Sequence, residues 1–175
     1  MIETPYWKQK TNYTCGPTAL EIVLAFYGDK LTQNELAKLA ETNKDTGTDH
    51  KPLINAARKR GFYCYVHRNA TIHLVRDFIH RGIPVLVNYV EPATNEGHYS
   101  VVVGFTHKNI IMNDPYFKKG FRMKIKKFEE RWYDCPETHK YKRWILVLSP
   151  KKFDLGRQYE PTRAPSSKAR SSSRR

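Results

Sequence analysis

Apolar residues recur at helical spacing through the first half of the chain and in near-continuous runs through the second. Between Thr14 and Tyr27, the residues Leu20, Val23, Leu24 and Tyr27 share one helical face, and Gly28 supplies a stop. Pro17 falls in the first turn of that helix, where a missing N–H is tolerated. Thr32 and Glu35 have the spacing of a capping box and open a second helix with Leu36, Leu39 and Ala40 on one face. A polar loop over 43–49 leads to a third short helix over 51–60, with Leu53, Ile54 and Ala57 inward and Gly61 at its end. Residues 62–67 alternate like a strand, and 71–80 predict a fourth helix carrying Leu74, Val75, Phe78 and Ile79, stopped by Arg81-Gly82.

The character then changes. Residues 84–90 (PVLVNYV), 98–106 (HYSVVVGFT), 109–113 (NIIMN) and 143–148 (RWILVL) are apolar or β-branched runs separated by turns. Residues 120–125 add a further strand, and 127–133 one more helical turn. Helices gathered before strands, not alternating with them, predict an α+β fold in which a helical N-terminal half packs on a mostly antiparallel C-terminal sheet. After Pro150 the pattern dissolves into a Pro/Ser/Arg-rich stretch with no apolar face, which predicts disorder from about residue 155. The expected organisation is one folded domain over 1–150 and a basic tail over 151–175.

Composition supports one domain with a real core: 175 residues, 39% hydrophobic and 13% aromatic. Charge adds a second theme. Of the net +14, residues 151–175 carry eight Lys/Arg against two Asp/Glu (+6), and residues 1–150 carry 23 against 15 (+8). The folded body is basic in its own right, which favours nucleic acid, an anionic surface or an acidic protein as partner. The tail suits electrostatic attachment to nucleic acid or an acidic assembly, but no aromatic lies beyond Tyr159 to stack on bases. The three cysteines, Cys15, Cys64 and Cys135, are odd in number and widely spaced, which suggests neither a disulfide framework nor a zinc ribbon. Cys135 and His139 lack a matching second pair, and no Gly-rich phosphate loop occurs, so neither metal nor cofactor is expected. Without a signal peptide or an apolar run near the ~20 residues that span a bilayer, the expectation is a protein of the cytoplasm or enclosed in a particle, with no membrane partner.

One stretch invites a chemical reading. In QKTNYTCGPTAL, residues 9–20, Cys15 stands where a helix begins. There, free backbone N–H groups and the positive end of the helix dipole favour thiolate over thiol. A thiolate nucleophile needs a base, the base needs an orienting group, and the oxyanion formed on attack needs donors. His98 is the candidate base: it opens the strongest strand, directly after Gly97, which lets another backbone approach. The other six histidines sit on a helix, at a strand end or, for His50, His107 and His139, in loops. Asp114 is the candidate orienting acid, because a hairpin turning near His107-Lys108 would bring it beside His98. Asn113 is its rival, though adjacent strand residues face opposite ways, and Glu96 is a third choice. Gln9, six residues before Cys15, is the candidate oxyanion donor together with the Cys15 backbone N–H. Cys64, inside an aromatic strand, and Cys135, before a proline, read as packing or incidental residues.

Taken in order, Gln-x5-Cys-Gly-Pro-x-Ala-Leu at a helix start, Gly-His-Tyr-x-Val-Val-Val-Gly and Asn-Asp-Pro resemble the C39-like branch of the papain-like cysteine peptidases. The resemblance runs over about residues 5–150 and includes Phe128, Trp132 and the closing strand from Trp144. It implies a papain-like α+β fold and thiol-dependent hydrolysis of a peptide or isopeptide bond, with Cys15 as nucleophile, His98 as base, Asp114 as orienting acid and Gln9 in the oxyanion hole. Transporter members of that branch carry membrane-spanning and ATP-binding segments that are not found here, so cleavage of double-glycine leaders is not carried over. The basic run KKGFRMKIKK over 118–127 lies beside the acid's loop. Two other functions stay open: a non-catalytic module of the same fold that binds nucleic acid or an assembly, and a thiol-dependent acyltransferase or deconjugating enzyme.

Overall fold

The computed structural model describes residues 1–163. Its first three helices are α1 (Cys15–Phe26), α2 (Gln33–Leu39) and α3 (His50–Lys59). Each begins within a residue or so of its sequence signal. Thr32 and Glu35 form the complete reciprocal capping box of α2. Helix α3 starts at His50, so that histidine is helical and not in the loop the sequence suggested. The later elements are β1 (Tyr63–His67), α4 (Ile72–His80), β2 (Val85–Val90), β3 (Gly97–Phe105), β4 (Asn109–Asn113), β5 (Phe121–Lys124), α5 (Ile125–Arg131) and β6 (Ile145–Ser149).

The strands form one six-stranded sheet in the order β1-β6-β2-β3-β4-β5, every pairing antiparallel. Strand β2 is buried along its whole length, which accounts for its continuous apolar run. The reason is that helices cover both faces. Helices α1 to α3 pack on one face against Leu86, Tyr99, Val101, Leu146 and Leu148. Helices α4 and α5 supply Val75, Phe78 and Phe128 to the other, against Val85, Val87, Tyr89, Val102 and Met112. Alternate residues of one strand thus serve two cores. Helix α1 lies across the first core with Leu20, Ile22 and Leu24 fully buried. Replacing Leu20 with alanine should cost roughly 2–5 kcal/mol in denaturant unfolding, because the site is enclosed on all sides. A loss near zero would mean that α1 is not held by this core.

The chain beyond β6 departs from expectation. Disorder was predicted from about residue 155, yet residues 155–163 are tied to the body. Cys64 and Tyr159 exchange backbone hydrogen bonds at 2.9 Å, Thr162 N–H donates to Arg58 O at 3.0 Å, and Phe153 is buried. The remainder of the predicted tail, 164–175, lies outside the described residues. Among the described residues no helix is long and apolar enough to cross a membrane.

Candidate active site

The site forms where the start of α1 meets the starts and ends of β3 and β4. Cys15 is the first residue of α1 and is 8% exposed. No side chain caps this end of the helix, so its first N–H groups stay available. Gly16 is required by packing: a Cβ there would stand 2.9 Å from the Thr48 side chain. Its absence lets the 43–49 loop press against the helix start, where Thr48 O accepts a 2.8 Å hydrogen bond from the Tyr99 hydroxyl.

His98 and Asp114 meet as the hairpin argument required. His98 Nε2 and Asp114 Oδ1 are 2.9 Å apart, with His98 4% exposed and Asp114 fully buried. Asn113, the rival, faces away: its amide donates to Thr4 Oγ1 and its carbonyl oxygen accepts from Gly120 N–H. Glu96 is exposed and has no bond to His98. Three further donors hold the Asp114 carboxylate: the Tyr89 hydroxyl at 2.9 Å and the Tyr116 and Phe117 N–H groups at 3.0 Å each. Burial pushes the Asp114 pKa up, but the His98 charge, the His98 hydrogen bond and the Phe117 N–H outweigh it and hold the carboxyl below its usual range. For His98, burial opposes the charged form, and the Asp114 charge and hydrogen bond overcome it, raising the imidazole well above its ordinary value. Burial would likewise raise the Cys15 thiol. Hydrogen bonding to His98, the charge on His98 and a backbone hydrogen bond from Tyr99 bring it below its ordinary value. The three groups therefore favour thiolate, imidazolium and carboxylate together. With Nε2 engaged by Asp114, Nδ1 is the ring nitrogen left to exchange a proton with the sulfur.

Gln9 sits on a strapped loop. Its backbone N–H donates to Pro115 O at 3.0 Å, tying this loop to the one that carries Asp114. Its side-chain Nε2 donates one hydrogen to Thr11 O at 2.8 Å, which leaves the second hydrogen of the amide free. Its Oε1 is buried without a partner. Gln33, a buried residue of α2, brackets the position: Nε2 donates to Lys8 O at 2.7 Å, and Oε1 accepts from Lys10 N–H at 3.1 Å.

Beside Cys15 opens a cleft of about 830 Å³, within the size range of ligand sites. Gly97 shapes one wall, since any Cβ there would collide with the Asp134 carbonyl oxygen. This is the close backbone approach that the glycine before His98 predicts. Cys135 follows in the same wall, so it lines the cleft and is not incidental. Cys64 does behave as a packing residue: it is fully buried in β1, and burial pushes its thiol up to about 12.

Sequence reasoning passed over Tyr89, Gln33 and His50. Tyr89 was detectable as a polar tip inside the apolar run of β2, since a buried hydroxyl needs a partner. Gln33 carried no such signal, because its partners are backbone groups 23 and 25 residues away. His50 is packed against Tyr99, Tyr141 and Trp144 with ring centroids 5.6, 4.5 and 4.2 Å away, and burial lowers its pKa to about 4. It too lines the cleft.

Similarity to known proteins bears on the fold and the family. An uncharacterised protein of Methanothermobacter marburgensis is 35% identical over 108 residues, which cover 62% of this chain and 69% of that protein. Among solved structures, the peptidase domain of Streptococcus ComA, a bi-functional ABC transporter of a quorum-sensing pathway, superposes with a TM-score of 0.69 at 26% identity, over 86% of this chain and all of that domain. A chain from Bacillus anthracis described as C39-like superposes with a TM-score of 0.70 at 16% identity, over 86% and 100% respectively, a likeness of fold. The sequence also matches the Peptidase_C39 like family over residues 1–138. The fold is thus that of the C39 peptidase domains, and this chain belongs to the Peptidase_C39 like family.

Proposed function

We propose that the protein is a cysteine peptidase in which Cys15 attacks the carbonyl carbon of a peptide or isopeptide bond. The observation that carries this reading is the 2.9 Å contact between His98 and a fully buried Asp114, with Cys15 at a helix start where the His98 charge lowers its thiol pKa. In the resting enzyme the proton rests on His98 and the sulfur is thiolate. Attack places negative charge on the carbonyl oxygen, and the Cys15 N–H and the free Gln9 amide hydrogen are its donors. His98 then passes its proton from Nδ1 to the leaving nitrogen, and the amine departs as the acyl–sulfur bond remains. Neutral His98 next takes a proton from water, which attacks the thioester carbon and releases the acid. Asp114 stabilises the imidazolium throughout and fixes which ring nitrogen faces the sulfur.

The test is site-resolved alkylation with iodoacetamide. At neutral pH, Cys15 should react at least ~10-fold faster than the more accessible Cys135, and Cys64 should be nearly inert, because only the thiolate attacks. His98→Ala should erase that advantage. The pH dependence has a definite sign. The Cys15 pKa is lowered, so its alkylation falls as pH drops through that lowered value and stays high above it. The His98 pKa is raised, so hydrolysis of an acyl substrate, which needs the imidazolium as acid, also falls as pH rises through the raised value. Equal labelling of Cys15 and Cys135 would refute the peptidase reading.

A further inference from the structure

Next to the cleft lies a second cavity of about 480 Å³. The two share His50, Lys51 and Tyr141, so they adjoin along this edge. Their charges differ sharply. The cleft mixes Lys44, Lys51 and Lys140 with Asp45, Asp49, Glu96 and Asp134. The second cavity is lined by Lys51, Arg58, Arg68 and Arg157 and by no carboxylate. Among the described residues, none of these four cations has an ion-pair partner. Like charges gathered in one concavity repel, and an anion placed among them relieves that repulsion. The segment after β6 builds one side of it. Arg157, Gln158 and Tyr159 line the cavity, held by the Cys64–Tyr159 backbone pair and by Arg58 Nε donating to Glu160 O at 2.7 Å. These residues lie beyond the part of the chain that matches the family, which ends at residue 138.

We infer that this cavity binds an acidic stretch of the peptide substrate, and that residues 157–159 belong to the substrate-binding surface. The inference rests on the peptidase reading. Two observations favour a peptide carboxylate over single-stranded nucleic acid. First, two of the rings in the cavity are not open for base stacking: Arg68 lies 4.2 Å from the Tyr141 ring centre, where His50 also packs, and Trp144 is buried. Second, Arg58 stands over the Tyr159 ring. What the cavity offers is charge and hydrogen-bond donors in a volume suited to a few side chains. His50 at the junction is neutral, and its ring is packed between the two cavities against Tyr141 and Trp144.

The experiment uses the full chain carrying Cys15→Ala and fluorescent hexaglutamate, followed by anisotropy. Arg68 and Arg157 are both exposed, so their substitution leaves the core intact. The double variant Arg68→Glu, Arg157→Glu should weaken hexaglutamate binding by ~10-fold or more, and salt should weaken binding to the parent steeply. Lys118→Glu with Lys119→Glu, the same change of charge elsewhere on the surface, should leave binding within about threefold. Equal weakening by both pairs would overturn the site in favour of general attraction to a basic protein. An oligonucleotide that binds more tightly than hexaglutamate, and is lost with Arg68 and Arg157, would overturn the peptide assignment. In the chain with Cys15 intact, a peptide joining six glutamates to six serines should slow alkylation of Cys15, and a serine-only peptide should not. Failure to slow it would separate the cavity from the cleft and overturn the substrate role. Rapid alkylation of Cys15 in the absence of peptide reports the peptidase reading by itself, so either idea can fall alone.

Discussion

Removing the Asp114 carboxylate is expected to slow alkylation of Cys15 by roughly 10- to 100-fold at neutral pH, as its thiolate fraction falls toward that of an ordinary cysteine. Asp114→Ala should also cost roughly 3–5 kcal/mol of stability, because it leaves a buried imidazolium and the Tyr89 hydroxyl without their acceptor. Asp114→Asn separates the two effects. An amide keeps an acceptor for the Tyr116 and Phe117 N–H groups, and Tyr89 can turn its hydroxyl to accept from the new NH2. That variant should fold with a loss of only ~1 kcal/mol and still lose reactivity, since the missing quantity is charge. Its alkylation profile should shift to higher pH. A wild-type profile in Asp114→Asn would mean that the acid shapes the site without supporting the ion pair. The lowered pKa of Asp114 carries a further sign. Its contribution to stability is complete above the ordinary carboxylate range and is lost as pH falls through the lowered value.

Gln9→Ala is expected to reduce turnover of a p-nitrophenyl ester by roughly 10²–10³-fold, the usual cost of one oxyanion donor. Alkylation of Cys15 should hardly change, because displacement on iodoacetamide forms no tetrahedral oxyanion. This split distinguishes a donor to the transition state from a residue that merely keeps the loop in place, which would depress both rates. Gln33→Ala provides the comparison. It releases the backbone at Lys8 and Lys10, so it should lower ester turnover by loosening Gln9 and should also reduce thermal stability. Equal ester turnover in Gln9→Ala and wild type would remove Gln9 from the oxyanion hole.

Much of this was legible in the chain because it depends on local physics. The capping box at Thr32 and Glu35 is a four-residue signal and appears unchanged in the structure. The alternation of β3 and β4, with a turn between them, was enough to bring the two strand ends that carry His98 and Asp114 side by side, but the register near them is set by a bulge between Val102 and Gly104 that the turn position does not predict. It showed that only one of Asp114 and Asn113 could reach His98, because neighbouring strand residues face opposite ways, and the bulged register gives that place to Asp114. The errors came where partners are distant. His50 read as a loop residue, since nothing near it in sequence reveals the aromatic cage of Tyr99, Tyr141 and Trp144. Residues 155–163 read as patternless because backbone pairing to Cys64 and Arg58 leaves no periodic trace. Cys135 read as incidental because the glycine that admits its loop lies 38 residues earlier.

The sequence by itself determined the element types, the antiparallel sheet and the identity of Cys15, His98, Asp114 and Gln9 as candidates, because each rests on spacing within one helix or one hairpin. Only the tertiary structure decided the surroundings of the QKTNYTCGPTAL stretch: which groups hold the Asp114 carboxylate, how Gln33 straps the Gln9 loop, and where the basic residues converge. Most of those depend on contacts between groups far apart in the chain, where burial and charge act through space, and no local pattern encodes them.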